Sequence, residues 1–190
     1  MSLERARSIV SVIPQDPHLF SGTVRFNLDP FSQYSDEEVW DALRDAHILD
    51  FLSRDPLGLL AVVDEGGKNF SVGQRQLLSL ARAILRRTPV VLMDEVTASI
   101  DYATDKLIQS TIRTSPSLRS ATIITVAHRL RTIADSDLVA VIHNGRLLEV
   151  GSPFDLLSDE KSEFHSLADE TNEFSDLFSI AKLAHDSKNT

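Results

Sequence analysis

The stretch SVGQRQLLSLARAILRRTPVVLMDE, residues 71–95, changes from a helical pattern to a strand pattern. Leu77 and Ala81 lie on the apolar stripe of a predicted helix, which Pro89 interrupts. The continuous apolar run VVLM, residues 90–93, then ends in two acids, as is typical of a strand buried on both faces of a parallel sheet. A helix that leads into such a strand favours an α/β fold.

Further apolar runs extend this pattern along the chain. Residues 8–14 (SIVSVIP), 122–127 (TIITVA) and 138–143 (LVAVIH) each predict a short buried strand, and residues 102–113 predict a helix. Residues 16–87 hold no convincing strand, so we expect a helical subdomain to interrupt the sheet. The alternation of strands with helices predicts a mainly parallel sheet.

Local signals place three more elements. Ser35 followed three residues later by Glu38 has the pattern of a capping box and predicts a helix that begins there. The Asn-Gly pair at residues 144–145 stands between two apolar runs and predicts a β-hairpin. Beyond Pro153 the chain is polar, with apolar residues at helical spacing, which predicts a helical C-terminal segment.

The composition is that of a globular chain with an acidic C-terminal part. Its 190 residues carry a formal net charge of −9 and no cysteine, which excludes disulfides and thiolate metal sites. From Pro153 onward nine Asp or Glu accompany three Lys, so two thirds of the charge excess lies there. This acidity argues against nucleic acid as a partner, because duplex affinity depends on basic groups that meet phosphates. We find no signal peptide and no apolar run of the roughly 18 residues that a bilayer requires.

Two adjacent acids, Asp94 and Glu95, follow the predicted strand at residues 90–93. Open α/β sheets place their ligands at the carboxyl ends of the strands. Neighbouring residues of a strand point to opposite faces, so the two carboxylates serve different purposes. One suits Mg²⁺ and the other suits the polarisation of an attacking water. Structural acids are also common at strand ends, so this pair alone leaves a purely structural role open.

Two more polar residues follow predicted strands. If strand 122–127 neighbours strand 90–93, His128 projects over the same edge as Glu95, where it can contact a γ-phosphate and the water. A single His at a strand end is also typical of surface or capping positions. Gln15 follows the first strand, and its neutral amide can donate to and accept from a metal-bound water. By itself Gln15 indicates nothing specific.

The glycines at residues 66–67 resemble part of a phosphate-binding loop. The pattern G-x-x-x-x-G-K-[ST] needs a glycine five residues before its Gly-Lys pair and Ser or Thr after it. Around Gly67 and Lys68 those two positions hold Val62 and Asn69. The match fails, and the segment is interpreted as a flexible turn.

The second glycine signal, Ser71-Val72-Gly73-Gln74, lies at the start of the predicted helix. Backbone N–H groups and the dipole at a helix N-terminus favour an anion, the Ser71 hydroxyl adds a donor, and Gly73 lets the backbone approach a phosphate. A Ser N-cap followed by an incidental glycine explains the same residues. The sequence leaves both interpretations open.

Together these pieces closely resemble the nucleotide-binding domain of ATP-binding cassette (ABC) transporters. The resemblance covers about residues 8–160, and the segments IPQDPHLFSGTVRFNLDPF and SVGQRQLLSLARA further resemble the second nucleotide-binding domain of the multidrug-resistance-associated subfamily. Five motifs occur in the order of the family. They are Gln15 as the Q-loop, FSVGQRQ as the signature, VVLMDE as Walker B with its catalytic glutamate, Ser99-Ile100-Asp101 as the D-loop and His128 as the switch histidine.

The resemblance implies a fold and a domain organisation. It implies an α/β fold, a partial P-loop NTPase-type parallel sheet with an inserted α-helical signature subdomain. Residues 1–160 are then a partial nucleotide-binding domain, with the helical subdomain at about 16–87 and the Walker B and H-loop core at about 88–160. Residues 161–190 form an acidic, helical C-terminal tail.

The resemblance also implies a function, with ATP and Mg²⁺ as cofactors. The chain is expected to be the C-terminal part of a transporter ATPase at the cytoplasmic face of a membrane. Its expected partners are a second nucleotide-binding domain, in a head-to-tail dimer, and transmembrane domains, without nucleic acid. The implied site residues are Glu95 and His128 for catalysis, Asp94 and Gln15 for Mg²⁺, Ser71, Val72, Gly73 and Gln74 for a nucleotide shared with the partner, and Ser99 and Asp101 in the D-loop.

In the family a Walker A loop and a β-subdomain precede the Q-loop, so we expect this chain to be N-terminally truncated and inactive in isolation. We also expect the sheet to leave apolar surface bare. The alternative is a non-hydrolysing cassette that only docks on a partner domain. A DNA-repair ATPase with a related signature is disfavoured, because residues 13–30 resemble the transporter branch.

Overall fold

The computed structural model describes residues 2–95 and 100–188, which divide into two compact units at residues 1–126 and 127–190. The first unit holds three parallel strands, a short antiparallel ladder and seven α-helices among its described residues. These elements are α1 (Leu3–Ile9), β1 (Val10–Ile13), β2 (Gly22–Thr23), α2 (Val24–Leu28), α3 (Asp36–Asp45), α4 (Leu49–Leu52), β3 (Val62–Val63), α5 (Val72–Arg86), β4 (Val90–Asp94), α6 (Tyr102–Thr114), α7 (Pro116–Arg119) and β5 (Thr122–Val126).

The main sheet of the first unit has the order β1–β4–β5, with all three strands parallel. Ile13 lies opposite Met93, and Asp94 lies opposite Val126. The carboxyl ends of the three strands therefore meet at one edge. The parallel sheet and its helices confirm the predicted α/β class, and β4 and β5 are neighbours as the sequence analysis required.

The two faces of this sheet differ in exposure. Ile13, Val91 and Met93 point to one face and are at most 2% exposed. On the opposite face Val12 is 58% exposed and Ile124 is 52% exposed. The predictions that residues 8–14 and 122–127 form buried strands are thus wrong for this face, and the expected bare apolar surface is present.

Helix α5 carries the main apolar core of the first unit. Its Ser71 N-cap accepts a hydrogen bond from the backbone N–H of Gln74, and the helix ends at Arg87 in the left-handed conformation. Leu78 and Leu80 are fully buried, where truncation to alanine typically costs about 2–5 kcal/mol. The helix packs against β1, α2, α3 and α6. The predicted helix and its start are confirmed.

The helical subdomain between the first two parallel strands also contains a feature that the sequence analysis missed. Strands β2 and β3 pair antiparallel over two residues each, Gly22 with Val63 and Thr23 with Val62. Two residues are too few to show an alternating pattern, so no strand was predicted there. The capping box that starts α3 is present in both directions between Ser35 and Glu38, as predicted.

The N-terminal strand is shorter than predicted. Residues 8–9 belong to α1, and β1 begins only at Val10. Helix α1 starts where the Ser2 hydroxyl accepts from the backbone N–H of Arg5. Two residues of the predicted strand, Ser8 and Ile9, thus form the end of the helix instead.

The second unit is a β-hairpin followed by three helices. Its strands are β6 (Val139–His143) and β7 (Arg146–Gly151), joined by Asn144 and Gly145, both at positive φ as such a tight turn requires. The predicted hairpin is confirmed, although Ile142 is 68% exposed and this strand is not buried as expected. The helices are α8 (Pro153–Ser158), α9 (Glu163–Asp169) and α10 (Phe174–Lys188).

The C-terminal helices pack around Leu157, Phe164 and Leu177, each at most 2% exposed. The acidic segment after residue 160 is helical over α9 and α10, in agreement with the predicted helical tail. The predicted division at residue 160 itself stays a prediction. Among the helices of the described residues, none combines the length and the apolar character that crossing a bilayer requires.

Candidate functional site

The candidate site lies where the parallel strands end. Gln15 follows β1. Asp94 is the last residue of β4, and Glu95 comes directly after it. The backbone N–H of Glu95 donates to the carbonyl of Val126 over 3.0 Å, so the β4–β5 pairing continues to the site. The topology therefore brings the predicted Q-loop and Walker B residues to one edge of the sheet.

Gln15 and Glu95 are in direct contact. The side-chain nitrogen Nε2 of Gln15 donates to Oε2 of Glu95 over 3.0 Å. Because this bond uses the nitrogen of the amide, the Oε1 atom of Gln15 is the group that suits a metal ion or a metal-bound water. The sequence analysis placed both residues at the site but did not predict that they bind each other.

Glu95 has an uncommon backbone conformation. Its φ angle is +45°, in the left-handed region that residues other than glycine rarely adopt. Such conformations cost on the order of 1–3 kcal/mol and persist where the surroundings hold them, often at functional sites. The strand ending thus fixes the direction of this carboxylate at an energetic cost.

Asp94 is exposed at the end of β4. Its carboxylate and the amide oxygen of Gln15 are hard oxygen donors, which fit Mg²⁺. No group of three or more His, Asp or Glu side chains able to hold a metal occurs in the described ranges. Magnesium in phosphate-transfer sites is usually held by one or two carboxylates together with phosphates and water, so this sparse donor set fits a metal that arrives with a nucleotide.

The predicted signature residues form the N-terminus of α5. Oγ of Ser71 accepts from the backbone N–H of Gln74 over 3.1 Å, and Oε1 of Gln74 accepts from the backbone N–H of Ser71 over 2.9 Å. This reciprocal capping box does not use the backbone N–H groups of Val72 and Gly73. The Ser N-cap interpretation is therefore confirmed, and it leaves the Ser71 hydroxyl proton available as a donor.

Gly73 is in close contact with the next helix. A β-carbon at this position would lie 3.0 Å from Cγ2 and 3.1 Å from Oγ1 of Thr104. Oγ1 of Thr104 in turn donates to Oδ2 of Asp101 over 2.7 Å. The glycine thus has a packing reason within this chain, besides the approach to a phosphate that the sequence suggested.

Asp101 caps helix α6. Its Oδ1 accepts from the backbone N–H groups of Ala103 and Thr104 over 3.1 and 3.0 Å. The pKa of Asp101 is lowered, first by the backbone N–H of Thr104 and then by the Thr104 hydroxyl. The other predicted D-loop residue, Ser99, lies outside the residues that the structure describes.

Gln76 and Arg82, two polar residues of α5, bind the segment that follows β1. Nε2 of Gln76 donates to the carbonyls of Pro14 and Gln15 over 3.1 and 2.8 Å. Arg82 donates to the carbonyls of Asn27 and His18 over 2.7 and 3.1 Å and to Oδ1 of Asn27 over 2.9 Å. Burial lowers the pKa of Arg82.

The sequence analysis missed both side chains. The sequence signal for Gln76 is a polar residue on a buried helix face. Gln76 shares this face with Leu80 and Ala83, which are 0% and 3% exposed. A polar residue at such a position must find hydrogen-bond partners, although the sequence does not say which.

Asp29 anchors the loop before α3, and it too was missed. Its carboxylate accepts from the backbone N–H groups of Gln33 and Tyr34 over 3.0 and 2.9 Å and from Arg25 over 3.0 Å. Burial is the largest influence on the pKa of Asp29 and raises it, but these hydrogen bonds and the Arg25 charge outweigh burial and lower the pKa overall.

Of the remaining predicted residues, His128 is exposed and belongs to the second unit. Its place over Glu95 stays a prediction. Glu65–Gly67 form a short 3₁₀ helix followed by a turn at Lys68, and Gly67 is buried with φ +69°. A β-carbon on Gly67 would lie 2.7 Å from Cδ1 of Leu19, so close packing, rather than the expected flexibility, explains this glycine.

Comparison with known proteins adds a family match. The family model described as ABC transporter matches residues 1–98. The chain is 54% identical over 162 residues to "ATP-binding cassette sub-family C member 2" of Rattus norvegicus, a match that covers 85% of this chain and 10% of the relative. It is 52% identical over 168 residues to "Probable multidrug resistance-associated protein lethal(2)03659" of Drosophila melanogaster, which covers 88% of this chain and 12% of the relative.

A solved structure shows the same likeness. "Structure of a bacterial Atm1-family ABC exporter with ATP bound" superposes with a TM-score of 0.78 at 36% sequence identity. The match covers 86% of this chain and 28% of that chain. The chain thus spans about a tenth of the length of the curated relatives it matches.

Proposed function

Because the chain belongs to the ABC transporter family and matches its multidrug-resistance-associated members, we propose that it supplies part of an ATP-hydrolysing nucleotide-binding domain. Its α/β fold is that of the P-loop NTPase-type domain in the ABC exporter. We propose that ATP binding and hydrolysis by this domain drive transport across a membrane, with the chain at the cytoplasmic face beside transmembrane domains.

One observation carries the catalytic part of this proposal, the hydrogen bond from Gln15 to Glu95 at 3.0 Å. It fixes one oxygen of a carboxylate that stands at the end of β4 in a strained conformation. Glu95 accepts the proton of the water that attacks the γ-phosphate. The Gln15 nitrogen orients this carboxylate toward that water, which is the arrangement a general base needs.

The same edge would hold the metal ion and the γ-phosphate that water attacks. Asp94 and the amide oxygen of Gln15 would hold Mg²⁺, which supplies positive charge to the phosphate oxygens when bound. His128 is proposed to contact the γ-phosphate from the following strand. Both acids thus keep the separate purposes that the sequence analysis suggested.

The signature residues act on the nucleotide of a second nucleotide-binding domain in a head-to-tail dimer. Ser71 donates its hydroxyl proton to a phosphate oxygen, while its oxygen keeps the cap with Gln74. The N–H groups of Val72 and Gly73 and the dipole of α5 add to the attraction. Asp101, with Ser99, borders the same interface through the D-loop.

The printed sequence contains no G-x-x-x-x-G-K-[ST] motif. We therefore propose that these 190 residues alone bind Mg·ATP weakly and do not hydrolyse it, because the main phosphate cradle is missing from them. Hydrolysis requires a protein in which this chain meets such a loop and a partner domain.

Single-turnover hydrolysis in such a protein tests the proposal. Glu95→Gln keeps the size of the side chain and an oxygen for Gln15, but removes the charge that accepts a proton. General bases contribute about 10²–10⁴-fold, so turnover is expected to fall by that factor while ATP affinity is kept. Glu37→Gln, at an exposed position of α3, is the control. Hydrolysis by Glu95→Gln at the unmodified rate overturns the assignment.

A further inference from the structure

Gln76 lies in the second turn of α5 and is 1% exposed. Its two hydrogen bonds go to the backbone carbonyls of Pro14 and Gln15, over 3.1 and 2.8 Å. Both partners are acceptors only, so the nitrogen of the amide must face the loop and the oxygen must face away. The orientation of this side chain is therefore determined by its contacts.

The oxygen of the same amide has no partner in the described part of the chain. Oε1 of Gln76 is fully buried and makes no hydrogen bond. An unsatisfied buried acceptor destabilises a fold, and an apolar side chain of equal size avoids this cost. Packing alone therefore does not explain a glutamine here, whereas the two bonds to the loop do.

These bonds complete a continuous path between the sheet edge that carries Glu95 and the signature turn, which we propose to face two different nucleotides of the dimer. Glu95 accepts from the side chain of Gln15, and the carbonyl of Gln15 accepts from Gln76. Gln76 lies five positions after Ser71 on one rigid helix. Two hydrogen bonds and the backbone of α5 thus connect the proposed general base to the N-terminus of α5.

We propose that Gln76 is a positioning residue that couples the Q-loop to the signature turn. It transmits a shift of Gln15 at the proposed metal-binding edge to residues 71–74, so that the catalytic edge of this chain and the turn that faces the partner's nucleotide move together. This inference rests on the proposed function for its consequence in hydrolysis. The mechanical link itself rests only on the contacts of Gln76.

Other contacts hold the same loop, which makes the proposal testable without unfolding it. Arg82 binds His18 and Asn27 farther along the segment. Arg75 lies 3.9 Å from Asp16. A variant that loses only the Gln76 bonds keeps these anchors, so its loop stays in place but loses the hydrogen bonds that join the carbonyls of Pro14 and Gln15 to the helix.

Gln76→Met is the test variant, because methionine fills a similar volume and donates no hydrogen bond. Gln109→Met, at a partly exposed position of α6, is the matched control. Hydrogen exchange of the full chain is followed by mass spectrometry without nucleotide. We expect amide exchange to rise about fivefold, the effect of one lost hydrogen bond, both at residues 15–19 and at residues 71–75. Exchange in α3 is expected to stay unchanged.

A rise at residues 15–19 alone, or no rise at either segment, overturns the coupling. A rise everywhere, α3 included, shows a purely structural role and overturns it as well. This arm needs no ATP, so it decides the link even if the chain takes no part in hydrolysis.

Steady-state kinetics in the complete protein form the second arm. If Gln76 positions the catalytic edge and the signature turn relative to each other, Gln76→Met lowers kcat per folded molecule by about 10- to 100-fold, the cost of a small misplacement, and leaves the KM for ATP within about twofold. Unchanged kcat with Gln76→Met contradicts the coupling. An unmodified protein that does not hydrolyse ATP contradicts the proposed function instead, and the exchange arm still decides the link.

Discussion

Gly73, in the first turn of α5, and Thr104, in the first turn of α6, pack so closely that a β-carbon on Gly73 would lie 3.0 Å from Cγ2 of Thr104. Thr104 also binds Asp101, the cap of α6. Thr104 therefore lies between the proposed signature glycine and the proposed D-loop residue Asp101 of the same chain, before any partner is added.

This contact predicts that Gly73→Ala changes the free energy of unfolding in opposite directions with and without the Thr104 side chain. In the unmodified chain Gly73→Ala overpacks Thr104, and we expect a net loss of about 1 kcal/mol in the free energy of unfolding. In a Thr104→Ala background the clash is absent and the higher helix propensity of alanine remains, so Gly73→Ala should stabilise by up to about 1 kcal/mol. Denaturant unfolding of the four proteins gives the coupling. Equal effects in both backgrounds would show that the contact does not matter.

Arg82 gives a prediction about the core of the helical subdomain. Arg82→Met removes three hydrogen bonds from a partly buried cation to Asn27 and His18, and we expect about 2–4 kcal/mol of destabilisation. Arg86→Met is the control, because exposed Arg86 donates only to the carbonyl of Arg7 among the contacts described. Thermal unfolding measures the stability of both variants. If Arg86→Met loses as much stability as Arg82→Met, the hydrogen bonds of Arg82 to Asn27 and His18 do not account for the loss.

Helix α5 and its long-range contacts show what the sequence could and could not predict. Helix α5 and its start were predictable because the apolar stripe and the Ser71–Gln74 cap are local signals. The partners of Gln76 and Arg82 lie more than 50 positions away, so no local pattern reveals them. The exposed face of β5 was also unpredictable, because an apolar strand has the same sequence pattern whether or not another element covers it.

Asp29 predicts a dependence of stability on pH. Its pKa is lower in the folded chain than the value near 3.9 of an unfolded aspartate. A depressed folded pKa contributes stability that is complete above about pH 4 and is lost as the pH falls through the folded value. Asp29→Asn should therefore cost about 1–3 kcal/mol at pH 7, because the amide nitrogen meets donors. The difference between the two proteins should shrink below about pH 4. Urea unfolding from pH 7 to pH 3 tests this, and a constant difference contradicts it.

Asp94 predicts a metal phenotype that differs from that of Glu95. Asp94→Asn removes one negatively charged oxygen ligand, so half-maximal hydrolysis should need about tenfold more Mg²⁺, the effect of one weakened ligand interaction. Saturating Mg²⁺ should restore much of the rate. Glu95→Gln should show no such rescue, because it lacks the proton acceptor. Measurement of ATPase rate against Mg²⁺ concentration separates the two acids, and an unchanged Mg²⁺ requirement of Asp94→Asn excludes Asp94 as a ligand.

Ser71 gives a prediction that separates its two roles. The hydroxyl caps α5 through Gln74, and we propose that it also donates to a phosphate of the partner's nucleotide. Aspartate is as good an N-cap as serine, but its charge repels phosphate. Ser71→Asp should therefore keep the free energy of unfolding within about 0.5 kcal/mol, whereas Ser71→Ala should lose about 1 kcal/mol. Hydrolysis in the complete protein should be abolished in Ser71→Asp, with initial ATP affinity at the partner's phosphate loop retained. If Ser71→Asp hydrolyses ATP normally, the serine is only a cap, and α5 does not face a nucleotide.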